Sequence, residues 1–212
     1  MRVSLYVDGF NLYHAIDDLR DDRLKWLSLY ELGRNIILHR TEPLTQTVYF
    51  SAYAHYRSNA DPSVVARHRK YVAALEATGV EVVLGNFKKK PRRCFACNAQ
   101  WDSHEEKETD VNIAVRLVAD AFRDRFDVAY VLSADTDLVP AMACARSVSG
   151  ASGSLKEIVA VFPPMQNRNV LSLTQNADRQ IRLNRNHISN ARLPNSTALA
   201  DGTVLTCPQK YL

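Results

Sequence analysis

The chain has 212 residues, of which 46% are hydrophobic and 24% charged, and its basic residues exceed its acidic ones by four. This composition and length predict a globular protein with one domain and a short appendage. The sequence contains no membrane-spanning run or signal peptide, and its four cysteines are too few for a disulfide scaffold, so we expect a cytoplasmic protein with reduced thiols and no membrane partner.

Short apolar runs predict the strands of an α/β protein. They are rich in β-branched and aromatic residues and end at turn residues, as buried strands do. The strands are predicted at residues 3–7, 47–54, 80–84, 128–132 and 158–162. Because they alternate with helical segments, we expect right-handed crossovers and a mostly parallel central sheet of about five to six strands flanked by helices.

The segments between the strands carry helical signals. Asp61 and Pro62 predict a helix N-cap and first helical residue, and Gly79 predicts the end of that helix. Helices are predicted at 12–38 (broken by a charged turn at 17–25), 61–79, 111–122 and 142–147. We expect one domain at 1–186 and, because residues 187–212 are rich in Asn, Pro, Ser and Thr, an extended or partly disordered C-terminal tail.

Polar side chains follow two of the predicted strands. Asp8 comes directly after the first strand, and Asp135 and Asp137 follow the fourth. The carboxyl ends of parallel strands form one edge of a sheet, where ligands bind. Asp110, expected at the N-cap of the helix 111–122, would face the same edge, and Asn11 lies one helical turn beyond Asp8.

Clustered carboxylates repel one another unless a cation neutralises them, and Mg²⁺ or Mn²⁺ prefers such oxygen ligands. A divalent ion held there would support hydrolysis of phosphodiester bonds. Each aspartate taken alone is most simply a helix cap or a turn residue. The joint pattern favours a metal site.

Three ordered motifs carry a family resemblance. Tyr6–Leu12 (YVDGFNL) resembles the first motif of the NYN domain family, the LabA-like branch of the PIN-domain nucleases. Glu106–Val111 (EKETDV) is similar to the second motif, usually Lys-Gly-x-Asp-Val, and Val131–Pro140 (VLSADTDLVP) to the third, normally Ser-Gly-Asp-Ser-Asp-Phe. Residues 171–183 are similar to the segment that closes the fold and residues 187–194 also resemble the family, so the resemblance spans about residues 1–195.

The resemblance implies a three-layer PIN-like fold and a Mg²⁺- or Mn²⁺-dependent ribonuclease. It implies that Asp8 and Asp135 bridge the metal and that Asp110 and Asp137 complete its shell, directly or through water. Asn11 would orient substrate or water, and Ser133 would donate a hydrogen bond behind the ligands.

Two residues depart from the family pattern. Glu108 and Ala134 stand where the family has glycine, and a Cβ at Ala134 would crowd the turn if its φ had to be positive. These departures leave open a catalytically weak RNA- or protein-binding module. A small-molecule enzyme, an oxidoreductase or phosphatase that reuses the fold, is a further alternative.

The cysteines suggest part of a zinc site. Cys94 and Cys97, followed by His104, have part of the spacing of zinc ligands. A fourth ligand is not evident, since Cys207 would reach only if the tail folds back. The alternative is a pair of free thiols in a surface loop, and Cys144 is expected to be a buried residue of a helix.

A basic run and an acidic run share the predicted loop 87–109. The basic residues are Lys88, Lys89, Lys90, Arg92 and Arg93. They are either a solvated loop or a clamp for the RNA backbone, beside which Phe87, Phe95 and Trp101 would stack on unpaired bases. The sequence does not decide the RNA target or the oligomeric state, and a homodimer is possible.

Overall fold

The computed structural model describes residues 1–37, 43–151, 153–165, 171–199 and 201–212. The elements in chain order are β1 (Val3–Asp8), α1 (Gly9–Asp17), α2 (Leu29–Ile36), β2 (Leu44–Ser51), α3 (Val64–Ala77), β3 (Glu81–Leu84), β4 (Asn86–Arg93), β5 (Gln100–Lys107), α4 (Thr109–Phe122), β6 (Val128–Leu132), α5 (Val139–Arg146), β7 (Glu157–Phe162), α6 (Leu171–Gln175), β8 (Arg179–Arg182), α7 (Arg185–Ser189), β9 (Ser196–Ala198) and β10 (Val204–Thr206). No helix in these ranges has the length and apolar character needed to cross a bilayer.

Six strands form a central sheet in the order β3-β2-β1-β6-β7-β8. Every neighbouring pair is parallel, which confirms the predicted parallel sheet. The chain runs outward from β1 through β2 to β3 and then returns to the other side of β1 with β6. The carboxyl ends of β1 and β6 therefore flank a topological switch point, the place where ligands bind in open α/β sheets.

Helices cover both faces of the sheet, so the three-layer architecture is confirmed. Successive side chains of a strand point to opposite faces. Tyr130 of β6 accordingly packs in one core with side chains of α1, α2 and α3, while Ala129 and Val131 pack in the other with α4 and α5. β1 and β6 are buried on both faces, which is why their sequences are nearly unbroken apolar runs.

Two predicted helix starts are corrected by their capping interactions. The helix expected from residue 61 begins at Val64, because the Asp61 side chain accepts a hydrogen bond from the Ser63 N–H (3.1 Å) and holds a turn before the helix. Helix α4 has Glu108 as its N-cap, so Asp110 lies in its first turn and not at the N-cap. The final residue of the helical segment predicted at 12–38 lies outside the described residues.

The expectation of a loop at 87–109 is wrong, since most of these residues form an antiparallel hairpin. β4 and β5 pair in register from Asn86 opposite Lys107 to Arg93 opposite Gln100. They make a separate two-stranded sheet, which we call the hairpin arm (residues 86–107). Its strands lack apolar alternation because most of their side chains are exposed, so sequence periodicity does not reveal them.

The C-terminal residues carry more structure than the extended tail expected of them. They include α7 and the antiparallel pair β9–β10. Cys207 and Tyr211 pack with Trp26 in a small core, and the Trp26 indole N–H donates to the Pro194 carbonyl (2.8 Å). A boundary at residue 186 remains a prediction.

Candidate active site

The switch point is lined by residues at the ends of β1 and β6. Asp8 ends β1 and caps α1, and only 3% of it is exposed. Gly9 lets the helix start close to β2, because a Cβ there would lie 2.5 Å from the Phe50 carbonyl oxygen. Ser133 and Asp135 follow β6 on the other side, and the Asp135 side chain accepts a hydrogen bond from the Asp137 N–H (2.9 Å).

Asn11 and Ser133 tie the two strand ends together. The Asn11 backbone N–H and side-chain amide donate to the Asp8 carboxylate (3.0 and 2.8 Å), and the Ser133 hydroxyl donates to it as well (2.7 Å). The Asn11 side-chain oxygen accepts from the Ala134 N–H (3.2 Å), and the Ser133 oxygen accepts from the Asp135 N–H (3.0 Å). Neutral donors thus hold Asp8 in place without cancelling its charge.

Five carboxylates affect one another at this edge, and we call them the acidic crevice: Asp8, Glu106, Asp110, Asp135 and Asp137. The pKa of Asp110 rises to about 6, first because of burial and then because of the charges of the other four. Burial raises the pKa of Asp8 against the opposing effect of its hydrogen bonds. Glu106 was not predicted as a site residue; it accepts a hydrogen bond from the Thr109 N–H at the start of α4 (3.1 Å).

The donor set of the acidic crevice suits a hard divalent ion. It offers carboxylate oxygens from three segments and accumulates negative charge, which a cation would relieve. In the described ranges, no three histidine, cysteine, aspartate or glutamate side chains are arranged so that they could hold a metal ion directly. Because Mg²⁺ usually retains several of its waters, such a set would bind it partly through water.

The two departures from the family pattern have different structural outcomes. Ala134 does not adopt a positive φ, so its Cβ does not crowd the turn. Glu108 has φ +80° and ψ −21°, a left-handed conformation that favours glycine. Its side chain accepts a hydrogen bond from the Asn86 amide (2.9 Å), which ties the start of α4 to the hairpin arm.

The hairpin arm has two faces of different character. On the outer face, Glu105 pairs with Lys90 (3.1 Å), Arg92 (2.5 Å) and Lys107 (3.2 Å). Lys88 lies on the same face, opposite Glu105, and makes no ion pair with any described residue. The face is therefore strongly basic. On the inner face Lys89 pairs with Asp102 (2.8 Å), and Arg93 lies near the tip.

The inner face also closes an aromatic cavity beside the acidic crevice. The His104 ring stacks on Tyr56 (4.3 Å between centroids, 6° between planes), and Phe87 contacts Tyr56 and Phe10. The cavity has a volume of about 410 Å³, and Glu106 lines it as well as belonging to the acidic crevice. Its further aromatic lining is Tyr13, Tyr49, Tyr71 and Tyr211.

His68 of α3 lies at the wall of the aromatic cavity. Its Nε2 lies 3.3 Å from the Ser51 hydroxyl, and burial lowers its pKa to about 4. Its ring is therefore neutral at pH 7. Neither His68 nor the aromatic cavity could have been recognised from spacing, because the lining residues come from distant segments.

The structure does not bring the three suggested zinc ligands together. Cys94 and Cys97 lie at the tip of the hairpin arm, whereas His104 pairs with Lys89, five residues back along the strand from Cys94, or about 17 Å. Cys207 is buried in the small core around Trp26 and does not join the other suggested ligands. Cys144, predicted to be buried, is exposed on α5.

An α/β sheet with an acidic crevice at its switch point defines a PIN-like class of protein. A family model for the NYN domain matches residues 2–182, so the chain belongs to the NYN domain family, which is part of the PIN-like nuclease superfamily. The resemblance seen in the three motifs is confirmed.

The chain is similar to a curated protein and to a solved structure. The chain is 27% identical over 179 residues to the 6-hydroxy-3-succinoylpyridine 3-monooxygenase HspA of Pseudomonas putida, an alignment that covers 69% of this chain and 56% of that protein. The chain thus spans about half the length of this relative. The fold resembles a solved protein of unknown function from Vibrio parahaemolyticus, with a TM-score of 0.56, 15% identity and coverage of 87% of this chain and 93% of the other.

Proposed function

We propose that the protein is a divalent-metal-dependent ribonuclease whose active site is the acidic crevice. The observation that carries the proposal is the convergence of carboxylates from β1, α4 and the segment after β6 at the switch point, where burial and their charges raise the pKa of Asp110. Membership of the NYN family supports a nuclease over other uses of such a cluster. The substrate would be RNA, held by phosphate contacts with the basic outer face of the hairpin arm.

The carboxylates of the acidic crevice would act as the metal ligands. Asp8 and Asp135, with Asp110, Asp137 and Glu106, would hold Mg²⁺ or Mn²⁺. Such an ion lowers the pKa of an attacking water and offsets charge on the reacting phosphate.

Asn11 and Ser133 keep the Asp8 carboxylate oriented through three hydrogen bonds, so that the site needs little rearrangement during reaction. Asp135 is held in turn because its N–H donates to Ser133 and its carboxylate accepts from Asp137. Neither Asn11 nor Ser133 carries a charge, so the negative potential that recruits a cation is preserved.

The test is incubation of end-labelled, mixed-sequence single-stranded RNA with the full chain and Mn²⁺. We expect cleavage that a chelator stops and that excess Mn²⁺ restores. Attack by water yields linear phosphate and hydroxyl ends, whereas attack by the RNA 2′-hydroxyl yields a 2′,3′-cyclic phosphate; we expect only linear ends. Asp135→Asn is the control for a contaminating nuclease.

Chelator-resistant cleavage, cyclic phosphate ends or full activity of Asp135→Asn would each contradict the proposal. Tight RNA binding without any cleavage would favour the alternative of a regulatory RNA-binding module.

A second candidate function is supported by the aromatic cavity. A volume of about 410 Å³ lined by tyrosine, phenylalanine and histidine rings suits a small aromatic molecule, and the relative HspA is named as a monooxygenase of a substituted pyridine. This candidate predicts that 6-hydroxy-3-succinoylpyridine raises the melting temperature. Tyr56→Ala should abolish that shift, and Asp135→Asn should preserve it.

A further inference from the structure

The tip of the hairpin arm has the local geometry of half a zinc site. The arm projects as a separate two-stranded sheet, with strands of eight residues and thus about 26 Å long. Its turn contains Cys94 and Cys97, separated by Phe95 and Ala96. A Cys-x-x-Cys turn at the end of a hairpin is a common way to supply two of the four ligands of a structural Zn²⁺.

The backbone of the turn is arranged to support a thiolate. The backbone N–H groups of Ala96 and Cys97 and the Cys97 side chain lie close to the Cys94 sulfur. The turn is closed by hydrogen bonds from the Cys94 N–H to the Ala99 carbonyl (2.8 Å) and from the Asn98 N–H to the Cys94 carbonyl (2.9 Å). Asn98 takes the left-handed conformation (φ +58°) that lets the chain turn back after the second cysteine.

The rest of the chain, as far as the structure describes it, does not complete the site. No group of three histidine, cysteine, aspartate or glutamate side chains able to hold a metal occurs in the described ranges. His104 is about 17 Å back along the arm from Cys94 and is stacked on Tyr56. Cys207 lies in a buried core, and Cys144 belongs to α5. Two thiolates from one chain leave half of a tetrahedral coordination shell unfilled.

A second copy of this chain would supply the missing half. The tip is exposed, with Cys97 and Phe95 open to solvent and Trp101 52% exposed on the outer face just behind it, so a second tip has access to both sulfurs. Four thiolates around Zn²⁺ carry two net negative charges. The exposed Arg93 next to the cysteines, which makes no ion pair with any described residue, offers compensating positive charge from each copy.

We propose that Cys94 and Cys97 of two chains together bind one Zn²⁺ at the meeting point of their hairpin arms, making a homodimer whose site is incomplete in the single chain. Formation of the site releases the four thiol protons to solvent and involves no redox change. Because the tips lie at the far end of the arms, the two acidic crevices remain open in the dimer. This proposal does not depend on the ribonuclease activity.

The test is to measure metal content and molar mass together on the full chain, kept reduced and supplied with Zn²⁺. We expect half a thiolate-bound zinc ion per chain after desalting and a twofold higher mass than in the presence of a chelator. Co²⁺ in place of Zn²⁺ should give the intense visible absorption of tetrahedral thiolate coordination, which separates sulfur ligands from the carboxylates of the acidic crevice.

Matched variants decide the assignment. Cys94→Ser and Cys97→Ser should each lose the thiolate-bound metal and become monomeric with an unchanged circular dichroism spectrum, whereas Cys144→Ser and Asp8→Asn should retain the zinc-dependent dimer. One thiolate-bound zinc per monomer, a dimer that survives both chelation and Cys94→Ser, or no thiolate-bound metal in the reduced protein would each overturn the proposal. A Cys94–Cys97 disulfide formed in air, without metal binding after reduction, would overturn it equally.

Discussion

The acidic crevice and the hairpin arm use the same kinds of residues to opposite effect. In the crevice, neutral donors hold Asp8, and burial together with the charges of the neighbouring carboxylates raises the pKa of Asp110. On the arm, Glu105 is surrounded by cations, and Lys90 and Lys107 lower its pKa. One acidic run, residues 102–110, contributes to both regions because strand alternation and the turn into α4 divide it. Density of charge in the sequence therefore says little about a site until the partners are known.

Removing one carboxylate from each region tests this difference most directly. Asp8→Asn should lower RNA cleavage at least about 100-fold, since it removes a charge that the reaction needs while keeping the shape of the side chain. Asp102→Asn on the arm should stay within about twofold, because an exposed ion pair contributes little. Initial cleavage rates in Mn²⁺ measure both effects, and equal losses in the two variants would contradict the comparison.

The pH dependence of stability should expose the raised pKa of Asp110, which burial and the neighbouring carboxylates cause together. A folded-state pKa of about 6 for Asp110, above its unfolded value of 3.8, means that the folded state holds this proton more tightly. The contribution of Asp110 to stability is thus complete below pH 3.8 and is lost as the pH rises through about 6.

Asp110→Asn should therefore raise the melting temperature at pH 7 in chelator. After a discount for partial exposure, we expect about 1 kcal/mol, or about 2 to 4 °C. The gain should vanish near pH 3.8 and shrink when Mn²⁺ is added to both proteins. A gain that is the same at both pH values would mean that the pKa of Asp110 is not raised in the folded protein.

Salt dependence of RNA binding should separate the two faces of the arm. Lys88 lies on the outer face without an ion pair to a described residue, so Lys88→Ala should reduce the slope of log K against log salt by about 0.7, the value for one phosphate contact on a single strand. Lys89 is paired with Asp102, so Lys89→Ala should change the slope less. An unchanged slope in Lys88→Ala would exclude this residue from the RNA contact.

The smallest expected effect concerns the residue that joins the two regions. Glu108→Gly should raise the free energy of unfolding by about 0.5 kcal/mol, because it relieves a left-handed conformation that costs about 1 to 2 kcal/mol for a residue with a Cβ but loses the hydrogen bond to Asn86. Glu108→Ala retains the Cβ and should give no gain. Urea denaturation of the three proteins checks this ordering.

The sequence by itself determined five of the six strands of the central sheet, their parallel arrangement and the aspartates at the strand ends. Those features are local: an apolar run such as residues 128–132 must be buried, and a residue that follows such a strand lies at the sheet edge whatever else the fold does. Asn11 and Ser133 were also within reach of sequence reasoning, since each lies within three residues of a strand-end aspartate.

Only the tertiary structure decided which charges meet. Pairing of β4 with β5 neutralises Glu105 and leaves Lys88 without an ion pair to a described residue, because an antiparallel register joins residues that are far apart in sequence. The same register separates His104 from the cysteines and stacks it on Tyr56. His104 therefore lines the aromatic cavity and is not a zinc ligand with Cys94 and Cys97. Long-range pairing, burial and like-charge convergence are properties of the folded chain, and they convert a net charge of +4 into one acidic crevice beside one basic arm.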